Sequence, residues 1–291
     1  MSNKKNSLRS IDAPIYSLWS ALYLSFYSRR LYVDVGKRWH GLGILYLLLT
    51  IAVFSLPFSL RMSLSLNDSF NKQITEPLSK IPIFYIQNGE ASFDKPMPYF
   101  IKNTKGKVIV IMDTTGKIND FTNEYPDASI LINKHKISLK IPRLQLYNFT
   151  QTTPDDGAPL VQEFDKETNL VFDGKKLAED KSITHLKYFS EMLIYPIVVA
   201  LFFSLFIVFF FVLGFLGEVF STVFFSFKIK FTQSVRLLIV AGTPMMLFLI
   251  IMLTLNYLFA GSGIILVALL LIYYSFALYS LRAESKQAVH S

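Results

Sequence analysis

The sequence contains no cysteine. That excludes disulfides, thiolate zinc sites, iron–sulfur clusters and a cysteine nucleophile, so any exported part must rest on its hydrophobic core alone. Charge is scarce as well: 17% of residues are charged, against about 25% in a soluble globular chain. The four histidines, His40, His135, His185 and His290, are scattered without metal-ligand spacing. No G-x-S-x-G, H-E-x-x-H or Walker motif occurs. These absences leave no catalytic residue, cofactor or metal site to assign, and the chain reads as a non-enzyme.

Apolar residues are abundant instead. They make up 52% of the 291 residues, and they cluster in runs of membrane-spanning length. Residues 41–60 carry no charge, and about 20 helical residues reach about 30 Å, one hydrocarbon core. A basic stretch precedes this run and no A-x-A site follows it, which reads as an uncleaved signal anchor. The second span is residues 192–216. Its apolar character continues past Gly214 and Gly217 to Phe227, either as a bend at the glycines into an interfacial segment or as a re-entrant hairpin. The third span, residues 237–256, contains Gly242-Thr243-Pro244, where an internal proline kinks a helix and Thr243 would satisfy part of the freed backbone. The fourth is residues 264–281. Before the first span, residues 15–33 place Ser17, Ser20, Ser25 and Ser28 on one sector of a helix. This segment either lies in the inner interface or docks on the protein's own bundle.

The charge distribution orients these spans. The formal charge of +8 comes entirely from the two ends: residues 61–191 carry 17 basic and 17 acidic side chains. Residues 1–40, the 217–236 loop and the tail after 281 hold the excess lysine and arginine, so all three are expected in the cytoplasm. The fold class is then an α-helical polytopic membrane protein with four spans and an N-terminal interfacial helix. Residues 61–191 form an inserted β-rich extracytoplasmic domain, and residues 192–291 form the membrane bundle with a short cytoplasmic tail. The basic pI of 9.4 comes without a basic helix or an aromatic RNA-reading signature, so the lipid bilayer rather than nucleic acid is the partner of this charge.

Within residues 61–191, short β-rich runs alternate with turn residues. Asn88-Gly89 is the strongest hairpin signal. Strands are expected at 82–87, 99–102, 107–112, 129–132, 137–141, 144–149 and 170–172, as an antiparallel meander. Residues 62–80 and 176–191 read as helical, and 150–157 as a loop. Asp113-Thr114-Thr115-Gly116 ends an apolar strand, but the extra threonine breaks the aspartic-protease signature and no second copy exists. It reads as a turn. In the membrane part, Glu218 and Arg236 lie at similar depth on spans two and three. They form either an ion pair pinning two helix ends or a relay for protons or substrate.

The stretches Ser25-Phe26-Tyr27-Ser28, Leu31-Tyr32, Gly41-Leu42-Gly43 and Leu45-Tyr46-Leu47-Leu48, running into Ser55-Leu56-Pro57, resemble an uncharacterised family of bacterial polytopic membrane proteins. So do Pro98-Tyr99-Phe100 and Val110-Ile111-Met112-Asp113-Thr114-Thr115-Gly116. One relative in that family is associated with maltodextrin utilisation, and the membrane part is similar to Yip1-type bundles. The resemblance implies a bacterial cytoplasmic membrane and carries over no functional residue. The leading expectation is a non-catalytic membrane protein whose exported domain binds a partner protein, envelope component or ligand, as an accessory or scaffold subunit. A small-solute or lipid transport component, with a path near Glu218 and Arg236, is the second. A membrane-bound enzyme with a site near Asp113 is the third.

Overall fold

The computed structural model describes residues 13–140 and 158–290, with side chains to residue 286. The chain divides into two compact units, Met1–Leu60 with Tyr195–Ser291, and Arg61–Ile194. It is mostly helical with a small β region.

The first unit begins with α1 (Leu18–Leu24) and α2 (Arg29–Lys37). The single helix expected over 15–33 is broken in two, because Ser17 and Ser28 each act as an N-cap: their hydroxyls accept from Ser20 and Leu31 N–H. Both helices dock on the bundle, with Ala21, Leu31, Tyr32 and Val35 buried. The Tyr32 ring meets Phe276 edge-on at 5.6 Å. The opposite side is an aromatic row: Trp19, Tyr23 and Tyr27 are each about three-fifths exposed. Both expectations for this segment, docking and an interface-facing surface, are thus compatible with its two sides.

Next come α3 (Ile44–Phe54) and α4 (Leu56–Phe70), then α7 (Lys181–Phe225), α8 (Phe231–Ala241), α9 (Thr243–Leu255) and α10 (Ser262–His290). α8 is the centre of the unit: every residue from Ser234 to Ala241 is buried, the pattern of a helix packed on all sides. α7 and α10 are long and apolar enough to cross a membrane, and up to four spans result if the bent pairs α3/α4 and α8/α9 each form one.

Two expectations need correction. α7 runs unbroken for 45 residues, with neither a bend at Gly214 and Gly217 nor a re-entrant hairpin. Those glycines instead admit close neighbours. A Cβ on Gly214 would lie 2.4 Å from Val235 Cγ2, and one on Gly217 2.5 Å from Ser234 Oγ. Pro196 sits inside this helix rather than near its start. The axis does bend by 43° between α8 and α9, at Gly242-Thr243-Pro244. The Thr243 hydroxyl, however, pairs with Tyr46 Oη of α3 at 2.7 Å rather than with its own backbone.

In the second unit α4 continues through a π-helical turn, Asn71–Thr75, into α5 (Glu76–Lys80). The strands are β1 (Phe84–Gln87), β2 (Glu90–Ser92), β3 (Tyr99–Lys102), β4 (Val108–Asp113), β5 (Ile130–Asn133), β6 (Lys136–Leu139), β7 (Leu160–Glu163) and β8 (Leu170–Phe172), and α6 (Gly174–Ala178) follows. Asn88 and Gly89 close the β1–β2 hairpin with φ of 53° and 75°, as a two-residue turn requires. The expected simple meander is replaced by two sheets, ordered β2-β1-β8 and β3-β4-β5-β6-β7. Within the larger one β4 and β5 are parallel. The segment joining them crosses one face and packs Ile118, Phe121 and Tyr125 against Ile111 and Leu131. The other face carries Val110, Met112, Ile130 and Ile132 in the main core. Burial on both faces is why these two strands read as continuous apolar runs. The strand expected at 144–149 and the loop at 150–157 lie outside the described residues.

Candidate functional site

Arg236 enters from the second turn of α8 and is 5% exposed. Its guanidinium donates to Gly36 O at 3.0 Å and Gly41 O at 3.1 Å. Gln233 Nε2 also donates to Gly36 O, at 3.1 Å. Gly36 lies in the last turn of α2, the end where the helix dipole is negative and carbonyls lack partners. The counter-charge of Arg236 is therefore backbone, not a carboxylate, and Nε is left without a partner. Glu218, half-buried on α7, is not joined to it. Of the four residues singled out in the membrane part, Arg236 ties α8 to the N-terminal segment and Thr243 ties the start of α9 to α3. Pro244 sits beside the bend, and Glu218 stands apart.

Asp34 completes this junction and was missed by sequence reading. It is 1% exposed. Its carboxylate accepts from Ile15 and Tyr16 N–H at 3.0–3.2 Å and from Trp39 Nε1 at 3.2 Å, with Arg38 at 3.5 Å. The available signal was an acidic residue placed four before an arginine in an otherwise basic segment.

In the β-rich unit, the parallel register sets Asp113 beside Asn133 at the carboxyl ends of β4 and β5. Ligands of open sheets bind at such strand ends. A cleft of about 310 Å³ opens there, lined by Asp113, Thr115, Asn119, Asn133, His135 and Lys136 among others. Asp113 is its only carboxylate. One oxygen accepts from Thr115 N–H at 2.9 Å and from its hydroxyl at 2.6 Å, and the other from Ile118 N–H at 2.6 Å. Burial pushes this carboxyl up, but the Thr115 hydroxyl and the N–H groups of Ile118, Thr115 and Lys117 outweigh it. They hold the group below the usual carboxylate range. Asp113 is thus an ionised pin for the turn. Asn133 Nδ2 fastens the same turn through Ile118 O at 2.7 Å. Among the described residues no group of three or more His, Asp or Glu side chains is placed to hold a metal.

Part of the apolar surface of this unit lies on its strands. All four residues of β7 are exposed, with Leu160 60% and Val161 49% accessible. On the smaller sheet Tyr85 and Val171 are register partners and both exposed.

No curated protein and no solved structure matches this chain at a significant level. Residues 19–278 match the family described as protein of unknown function DUF1189, spanning both units, and the chain belongs to that family.

Proposed function

We propose that this is a four-span protein of the bacterial cytoplasmic membrane, with both termini inside and residues 61–191 outside. Its β-rich unit binds a partner protein or envelope component, in an accessory or scaffold role without catalysis. The observation that carries this reading is the fully exposed strand β7, with Leu160 and Val161 bare, at the edge of its sheet among the described residues. Such edges accept an added strand through main-chain hydrogen bonds, and side chains at alternate positions give specificity. Tyr85 and Val171, on the smaller sheet, are a second exposed apolar pair. A Yip1-like arrangement of the membrane part, which belongs to this proposal, would suit an anchoring role.

Transport of a polar solute has less support. Arg236 is engaged by Gly36 and Gly41, and α7 and α8 approach closely at Gly214 and Gly217. An enzyme near Asp113 would need that carboxylate free, and its donors already occupy it.

A photo-crosslinking residue placed at Val161 or Val171 in living cells tests the proposal. Discrete adducts are expected at both positions and none at Lys117, an exposed polar control. Equal labelling at all three sites, or none with normal protein levels, would remove the partner-binding reading.

A further inference from the structure

An apolar cleft of about 240 Å³ lies within the helical unit between α7, α8 and α10, lined by Phe209, Leu213, Leu216, Phe220, Leu271 and Tyr274 among others. Its polar groups are already used. The Tyr274 and Ser234 hydroxyls pair at 3.0 Å, and Ser234 Oγ donates to Gly214 O at 2.8 Å. Gly217 borders the cleft and admits the Tyr274 ring at close range: a Cβ there would lie 2.6 Å from Tyr274 Oη. The rim faces outward, with Leu216, Val267 and Leu271 each about half exposed or more.

Three features restrict the occupant. First, the wall offers no free donor or acceptor for water, and apolar cavities of this kind stay dry. An empty cleft would forgo dispersion contacts along its whole lining. Second, the eleven helical steps from Phe209 to Phe220 span about 16 Å, half of a hydrocarbon core of about 30 Å. That is the reach of one leaflet. Third, Phe220 near the end of the cleft on α7 packs on Tyr274 of α10 at 6.1 Å, and basic residues follow further along both: Lys228 and Lys230 after α7, and Arg282 on α10. Cations at that level suit a phosphate headgroup.

We propose that this cleft seats one acyl chain of a membrane phospholipid, on the reading that α7 and α10 span the bilayer. The ligand is held by its chain, and the basic residues beyond the cleft favour an anionic headgroup.

Native mass spectrometry of the full chain, released from nanodiscs of phosphatidylglycerol and phosphatidylethanolamine, tests this. One retained phospholipid per chain is expected, with phosphatidylglycerol preferred. Leu271→Trp and Leu213→Trp fill the cleft, and overpacking should lower retention at least about fivefold. Leu201→Trp, on a lipid-facing residue of α7, should leave it unchanged. Equal retention in all three variants overturns the proposal, and so does an isoprenoid mass in place of a phospholipid. A measurement on the unmodified protein covers the case in which the tryptophan variants do not fold. A phosphatidylglycerol with a photoactivatable acyl chain should crosslink within 209–220 and 267–274. Adducts spread evenly along α7, including Leu201 and Leu205, count against the site. Extraction of the chain by alkaline carbonate would defeat the membrane reading itself. A chain that stays in the membrane yet retains no lipid defeats only the cleft.

Discussion

Asp113 and Arg236 are buried charges compensated by backbone, and the sign of each compensation follows from the groups around it. Asp113 ends β4, where Thr115 and Ile118 N–H groups converge on its carboxylate. Arg236 faces the carbonyl end of α2. Hydrogen bonds to a charged acceptor are worth about 1.5–3 kcal/mol each. Asp113→Asn keeps the shape but places an amide N–H₂ where N–H donors point, so the opening free energy of β4 and β5 should fall by about 1.5–3 kcal/mol. Amide exchange along those strands, in the full chain, measures it. The pH dependence has a definite direction. Because the folded carboxyl titrates below the unfolded one, its stabilisation is complete above the ordinary carboxylate pKa and disappears as pH falls through the folded value. The advantage of the parent over Asp113→Asn should therefore be full near neutrality and shrink on acidification below the usual carboxylate range. A difference that grew on acidification would contradict the assigned donors.

At the scale of elements, glycine packing sets how closely α7 approaches its neighbours. Gly→Ala inside a helix gains up to about 1 kcal/mol of propensity. At Gly214 that gain meets a Cβ 2.4 Å from Val235 and 2.8 Å from the Phe231 ring, and overpacking costs about 1–3 kcal/mol. The clash wins, so Gly214→Ala should lower the thermal midpoint in detergent. Gly263→Ala, whose Cβ meets nothing within 4 Å, should leave the midpoint unchanged or raise it slightly. Equal effects at the two sites would mean that α7 and α8 do not touch there. The same glycines show where sequence reading stops. The apolar run 192–227 is too long for one straight span, so the sequence points to a bend at Gly214 and Gly217. In hydrocarbon, backbone groups have no other partner and the helix continues. Local signals fared better: Asn88-Gly89 specified its hairpin, and the strands expected at 99–102 and 170–172 have those bounds. β7 escaped notice because Leu160, Val161, Gln162 and Glu163 show no alternation, being exposed on both faces. The parallel pairing of β4 and β5 was illegible for another reason. Its crossover carries no helical period, and the pairing is set by Ile118, Phe121 and Tyr125 folding back over the sheet.

For the whole molecule, Arg236 ties α8 to the carbonyl end of α2 and Thr243 ties the start of α9 to α3, while Asp34 fastens Ile15, Tyr16 and Trp39 within the N-terminal segment. What the charge asymmetry adds is direction, and the cysteine-free chain makes direction measurable without background. Two helices span by length alone, while α3/α4 and α8/α9 are bent pairs, so the topology turns on whether each pair crosses. Ser92→Cys, exposed on β2, reports the first pair, and Lys286→Cys, exposed near the end of α10, reports the second. In intact spheroplasts a membrane-impermeant maleimide should label Ser92→Cys at once and Lys286→Cys only after permeabilisation. If α8/α9 entered and left by the same side, α10 would start inside and Lys286→Cys would label from outside along with Ser92→Cys. If instead α3/α4 failed to cross, the basic N-terminal segment and the β-rich unit would share one side, and Ser92→Cys would be protected while residues 1–40 stayed in the cytoplasm. Each failure has its own labelling pattern, so the same two cysteines that support the four-span path would also identify which bent pair broke it.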